Sequence, residues 1–280
     1  TIASGSGHCW TSASRADPPR PAGPMADRAR RATAEDRPIQ GSMTAIGTHS
    51  NCSGGITPWR TILTCEENYQ NHYGEVEFDE NGNRKEVFHP ENLDWKSVFD
   101  YPSEHYGWVV EINPFTGDAK KLTALGRFSH EGAAIVKAKD GRNVVYMGDD
   151  KNFECVYKFI SSDADSLETG TLYVANFDEG KWASLDINQN EILKKKFKDQ
   201  TDVLIRCREA AKLVGGTPMD RPEDIEVDPF SGNVYVALTR NTKRNNNFGS
   251  LLKIEEEGSS SLSLTFKSKT FLSGGPQAGF

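Results

Sequence analysis

The sequence contains no run of about 18 apolar residues, so nothing in it reads as a membrane-spanning helix. It also lacks an excess of basic charge. The formal net charge is −7, which argues against nucleic acid as a partner and suits cation binding at acidic clusters. Cysteine is scarce and irregular: the five residues at 9, 52, 65, 155 and 207 form neither a disulfide framework nor a CxxC zinc pattern. Most read as small buried hydrophobes, but Cys52 lies in what reads as a Gly-rich turn, where a core residue is not expected. An initiator Met and a signal peptide are both missing, and the chain stops abruptly at Gly279-Phe280. The sequence therefore reads as a fragment whose lack of a targeting signal says nothing of compartment. Residues 1–41 have almost no β-branched residues and too little apolar surface to offset the entropy of ordering. They read as a poorly ordered segment ahead of a domain spanning 42–280. The basic run Arg28-Ala29-Arg30-Arg31 has no aromatics beside it and reads as a solvated tail.

From Thr44 onward the texture changes to short β-rich runs. Strands are expected at Thr61 to Thr64, Gly74 to Phe78, Gly107 to Ile112, Ala133 to Lys137, Asn143 to Met147, Cys155 to Phe159, Gly170 to Asn176, Asp224 to Val227, Asn233 to Leu238 and Ser250 to Ile254. Turn signals such as Asn81-Gly82, Pro114-Phe115-Thr116-Gly117 and Asp140-Gly141 separate them. Helical spacing occurs in one place, Thr201 to Val214, through Val203, Cys207, Ala210, Ala211 and Val214. The chain reads as all-β with a small helical insertion.

The strands also repeat. Three copies share a strand, a Gly turn, a strand ending in a polar cluster and a third strand ending in an aliphatic residue or Phe; Glu131 and Glu223 hold equivalent places, 92 residues apart. That is about two blades at roughly 40 to 45 residues each. In a β-propeller the loops entering the innermost strands converge on the axis, so this fold would bring Glu131, Glu223 and the Asn51-Cys52 stretch together. Glu66-Glu67, Asp149-Asp150 and Arg240-Asn241 would then lie at a common end of their strands.

The ligand types suggest the chemistry. Carboxylates and amides in Glu66-Glu67-Asn68 and Asp149-Asp150 are hard oxygen donors suited to calcium. A Cys52 thiolate with Glu131 and Glu223 is a mixed soft and hard set, better matched to iron. Arg221, two residues before Glu223 and fixed by Pro222, offers a planar fork to an anion bound at the metals, and phosphate fits several cations plus one arginine. Taken singly, His130 reads more readily as a packed or capping residue, Trp59 as core and Asp220 as a turn former.

The ordered motifs Asn51-Cys52-x-Gly54-Gly55-x-Thr57-Pro58-Trp59, Leu63-Thr64-Cys65-Glu66-Glu67-Asn68, residues 106–112, residues 124–132, Tyr146-Met147-Gly148-Asp149-Asp150 and Met219-Asp220-Arg221-Pro222-Glu223-Asp224 resemble the PhoX-type alkaline phosphatases over about residues 44–280. The resemblance implies a six-bladed propeller, incomplete here, in a secreted or periplasmic protein carrying Fe3+ and Ca2+. It matches Cys52, Glu131 and Glu223 to the iron site and Arg221 to the phosphate-binding arginine. Glu66, Glu67, Asp149 and Asp150 fall in motifs of the metal cluster. Catalysis is thus expected at Arg221, Glu131 and Glu223, and substrate contact at Arg221, Asn51 and Trp59. The implied activity is hydrolysis of small-molecule phosphate monoesters by a monomer, for phosphate scavenging. Arg60 stands where the family has Gly, residues 1–41 match poorly, and the family's closing segment is missing. Two rival readings are a calcium-dependent propeller hydrolase of lactones or phosphotriesters, which would need neither Cys52 nor Arg221, and a non-catalytic binding propeller.

Overall fold

The computed structural model describes residues 20–22, 45–88, 93 and 95–276. Three sheets succeed one another along the chain, each a meander of antiparallel neighbours, as the repeats suggest. The first contains β1 (Arg20–Ala22), β2 (Asn51–Ile56) and β3 (Ile62–Glu66); the hairpin β4 (Glu75–Phe78) and β5 (Arg84–Val87) then intervenes before β6 (Val109–Ile112) and β7 (Ala119–Leu122) complete it. Its order is β1-β7-β6-β3-β2, with β1 parallel to β7. The second runs from β8 (Ala134–Lys137) through β9 (Asn143–Gly148), β10 (Val156–Ser161) and β11 (Gly170–Asn176) to β12 (Lys181–Ser184). The third comprises β13 (Pro222–Val227), β14 (Val234–Leu238), β15 (Ser250–Glu256) and β16 (Phe266–Ser273). These are three blades of a β-propeller. Most of the segment expected to be poorly ordered lies outside the described residues, but Arg20–Ala22 within it adds a strand to the first blade.

The first strand of each blade faces its counterparts: β2 packs on β8, and β8 and β9 pack on β13. Glycine permits this approach. A Cβ on Gly55 would strike the Ala133 carbonyl of the next blade, and one on Gly148 would strike the carbonyls of Pro222 and Glu223. The glycines of residues 51–56 suggest a turn when read as sequence. They instead mark an innermost strand that other backbones crowd, with register irregularity between Asn51 and Gly54.

β9 is buried along its whole length and shows how the cores form. Successive side chains on a strand point to opposite faces. Val145 and Met147 join a core shared with Leu63, Val109 and Tyr157, while Val144 and Tyr146 join a second with Ile225, Val236 and Ile254. The helical insertion lies over the first core through Val203, Cys207, Ala210 and Ala211. Instead of one helix it forms three short ones, Glu191–Lys196, Gln200–Ile205 and Cys207–Leu213. The last two break at Arg206, whose φ of −99° and ψ of 37° leave the helical region. Its guanidinium is held by Asp202 at 3.2 Å and Glu209 at 2.7 Å and covers the Phe78 and Phe197 rings.

Candidate functional site

The blade ends bring acidic groups together. β3 ends at Glu66, so Glu67 emerges from blade one; Glu131 lies just before β8; Asp150 lies just after β9. One carboxylate oxygen from each of Glu67, Glu131 and Asp150 lies within 4.8 Å of the others, a group that could hold a metal ion. The Cys52 Sγ lies 3.6 Å from Glu131 Oε1. Burial, the hydrogen bond to Asp150 and the charges of Asp150 and Glu131 push Glu67 up to about 8. Burial and the charges of Glu223 and Asp150 push Glu131 up to about 7. Burial and Glu131 push the Cys52 thiol up to about 11. Like charges are convergent here, and a bound cation would relieve all three groups. This donor set fits a metal: hard oxygens with one sulfur at the edge.

Arg221 sets a cation against the acidic cluster. Its Nε and Nη2 donate to the two oxygens of Asp150 at 2.9 and 2.8 Å, and Nη2 lies 2.8 Å from Glu223 Oε1. Thr239 Oγ1 also donates to Glu223, at 2.8 Å. The Arg221 backbone sits at a φ of 53°, in the left-handed region that a non-Gly residue seldom occupies. Pro222 comes next and starts β13. Arg221 and Glu223, together with Glu67, Glu131 and Asp150, line one open cavity of about 390 Å³.

Other expected residues lie elsewhere. Glu66, adjacent to Glu67, is fully buried and turns away from the cluster: Lys121 Nζ donates to it at 2.8 Å, and the Gly107 and Trp108 amides at 3.0 and 3.1 Å. Asp149 is likewise buried, held by two Arg208 nitrogens at 2.7 Å. Asn51 bonds to Thr48 and Thr64. Trp59 sits in the turn beyond the opposite end of β2, its Nε1 donating to Glu111 at 2.6 Å. His130 is a packed residue, in keeping with its expectation as a single residue: buried, stacked on Phe128 and bonded to the Gly126 carbonyl. Asp220 binds Asn241, Asn246 and Arg244 and braces the chain just before Arg221.

Asn68, already read as an oxygen donor, lines the cavity, and the structure adds Gln70, Lys151 and Asn152 to it; Asp224, within the last motif, is exposed beside Gly132. The only signal of Gln70, Lys151 and Asn152 in the sequence is adjacency to the motifs. Among the described residues no helix is long and apolar enough to cross a membrane.

Comparison with known proteins agrees with this geometry. The family described as "Alkaline phosphatase PhoX" matches residues 10–279, starting well before the resemblance read from the motifs. Among solved structures the chain is similar to Pseudomonas fluorescens PhoX in complex with vanadate, a transition state analogue, at 35% identity and a TM-score of 0.76. The match covers 91% of this chain and 52% of that one, so the chain spans about half the length of its structural relative. No curated protein matches. The chain belongs to the PhoX alkaline phosphatase family.

Proposed function

We propose that this chain carries the metal and phosphate site of an alkaline phosphatase that hydrolyses phosphate monoesters. The observation that carries the reading is the convergence of Glu67, Glu131 and Asp150 beside the Arg221 fork in one open cavity. The relative's complex with vanadate supports it, because vanadate imitates a phosphoryl group in transfer.

On this reading Cys52, Glu131 and Glu223 would hold Fe3+, and Glu67 and Asp150 would hold Ca2+; such ions would supply polarisation of phosphoryl oxygens and activation of a nucleophile derived from water. The chain's own residues do the rest. The Nε–Nη2 edge of Arg221, which here grips Asp150, has the two parallel N–H groups that match the oxygens of a phosphoryl group and would exchange that carboxylate for one. Thr239 and Asp150 hold Glu223 and Arg221 respectively in place before substrate arrives. Glu66 and Asp149 serve as buried anchors that fix the strand ends on which Glu67 and Asp150 stand. Secretion to the periplasm or beyond belongs to the same proposal and rests on the family alone.

Hydrolysis of p-nitrophenyl phosphate by the metal-loaded chain, with and without Arg221→Ala, tests the reading. Losing one fork of this kind removes about 3 kcal/mol of transition-state stabilisation, on the order of 100-fold in kcat/KM. Equal rates for the two proteins would overturn the assignment of Arg221. Activity that survives complete chelation would overturn the metal-dependent reading.

A further inference from the structure

Lys151 stands at the boundary between two cavities. It lines the site cavity with Glu67, Glu131, Asp150 and Arg221. It also lines a second cavity of about 440 Å³ with Arg127, Arg206, Arg208 and Lys212. The other cations of that second cavity are spoken for: Arg127 pairs with Glu75, Arg206 with Asp202 and Glu209, Arg208 with Asp149, and Lys212 with Glu154. The Lys151 ammonium has no ion-pair or hydrogen-bond partner among the described residues. Its side chain is exposed.

Its backbone, by contrast, is fixed. Lys151 N–H donates to the Asp149 carbonyl at 2.7 Å, and its own carbonyl accepts from Glu154 N–H at 3.1 Å. Phe153, at a φ of 69°, is held by the Met219 carbonyl at 2.9 Å and by the Arg244 guanidinium 4.9 Å from its ring centre. A tethered loop thus carries an unpaired cation at the exit of the site cavity, next to a second cation. Glu75, Glu77 and Glu209 also line the second cavity, but none of them pairs with the exposed Lys151 ammonium, which stays open to a further anion.

We infer that Lys151, backed by Arg208 and Lys212, forms a leaving-group subsite that selects phosphate monoesters whose alcohol bears a second anionic group. This rests on the phosphatase reading and extends it: Arg221 and the acidic cluster would take the phosphoryl group, and Lys151 the carboxylate or phosphate at the far end of the same substrate. The chemistry of the subsite is that of an oxyanion, whichever of the two supplies it.

Specificity constants of the metal-loaded chain for 3-phosphoglycerate, fructose 1,6-bisphosphate, phenyl phosphate and phosphocholine test the inference. These leaving groups carry a carboxylate, a phosphate, no charge and a cation. The wild-type chain is expected to favour the first two over phenyl phosphate by about tenfold or more, a ratio that shrinks as salt screens the exposed cation. Lys151→Met should collapse the ratio, and Lys151→Glu should invert it toward phosphocholine, which a merely structural lysine would not do. If the carboxylate and phosphate arms differ, the better one names the source of the anion. Binding of 3-phosphoglycerate to wild-type and Lys151→Glu chains, measured by calorimetry, gives a second readout that does not need turnover. Hydrolysis of all four esters with a ratio unmoved by either substitution would overturn the subsite while leaving the phosphatase intact. Hydrolysis of none would overturn the underlying function as well.

Discussion

At the scale of single residues, the two acidic pairs divide in the same way. Glu66 and Asp149 are consumed by Lys121 and Arg208 in the interior, whereas their neighbours Glu67 and Asp150 face the cavity. Strand alternation requires that adjacent side chains part company. Which member goes inward is decided by cations 55 and 59 residues away in sequence, and no local pattern reveals that. The split gives opposite phenotypes. Asp149→Asn leaves the part-buried Arg208 with Glu75 at 3.5 Å as its remaining charge partner and should destabilise the fold by about 1.5–3 kcal/mol, read from urea midpoints. Asp150→Asn should leave the midpoint nearly unchanged and reduce metal uptake. Glu131→Gln, which removes a carboxylate at the centre of the cluster, should weaken metal affinity on the order of 100-fold in a chelator competition. Cys52 and Arg221 stand out in the sequence as candidate site residues because a thiol among glycines and an arginine locked before proline fit poorly into a core. Trp59 is not legible in this sense: its tie to Glu111 crosses from the β2–β3 turn to β6, a pairing seen only in three dimensions.

At the scale of elements, strands with period-two alternation between clear turns, such as β9, β10, β11 and β14, are readable from sequence. Two others are not. β12 is only four residues long, and β16 has its first residue buried and the other seven exposed, so neither shows an alternating pattern. The helix is readable by its spacing, but its interruption at Arg206 depends on ring contacts with Phe78 and Phe197 from distant segments. Blades two and three are joined by a buried ion pair, Lys158 Nζ to Glu256 at 2.6 Å, with Trp182 and Tyr146 also donating to Glu256. Lys158→Met alone should cost about 3–5 kcal/mol, and adding Glu256→Met should recover much of it, because the unpaired buried charge is then gone.

Next to blade one, the His49 and His72 rings meet edge to face at 4.1 Å. Burial, then His72, then Lys121 lower His49 to about 4, and burial lowers His72. Both groups therefore bind protons more readily when unfolded, so their contribution to stability is present above about pH 6.5 and is lost as the pH falls toward 4. From pH 7 to 4 the urea midpoint of His49→Gln should gain on that of the wild-type chain, because the variant lacks the loss that His49 contributes.

At the scale of the molecule, three blades meet through glycines at their innermost strands, and the acidic cluster forms where their ends converge. The repeat of Glu131 and Glu223 already points to this convergence, since equivalent positions face a common axis, but their 92-residue separation spans one blade and not the expected two, because the helical insertion at 191–213 lies between β12 and β13. Within the residues described, every side chain of the proposed metal site comes from these three blades: Cys52 and Glu67 from the first, Glu131 and Asp150 from the second, Glu223 from the third. The site should therefore bind metal as this chain stands. The measurement that tests this most directly is the iron and calcium content of the purified, folded chain beside Cys52→Ser. The account predicts iron and calcium bound to the wild-type chain, with iron lost and calcium retained in the variant. A folded wild-type chain that takes up neither metal would contradict it.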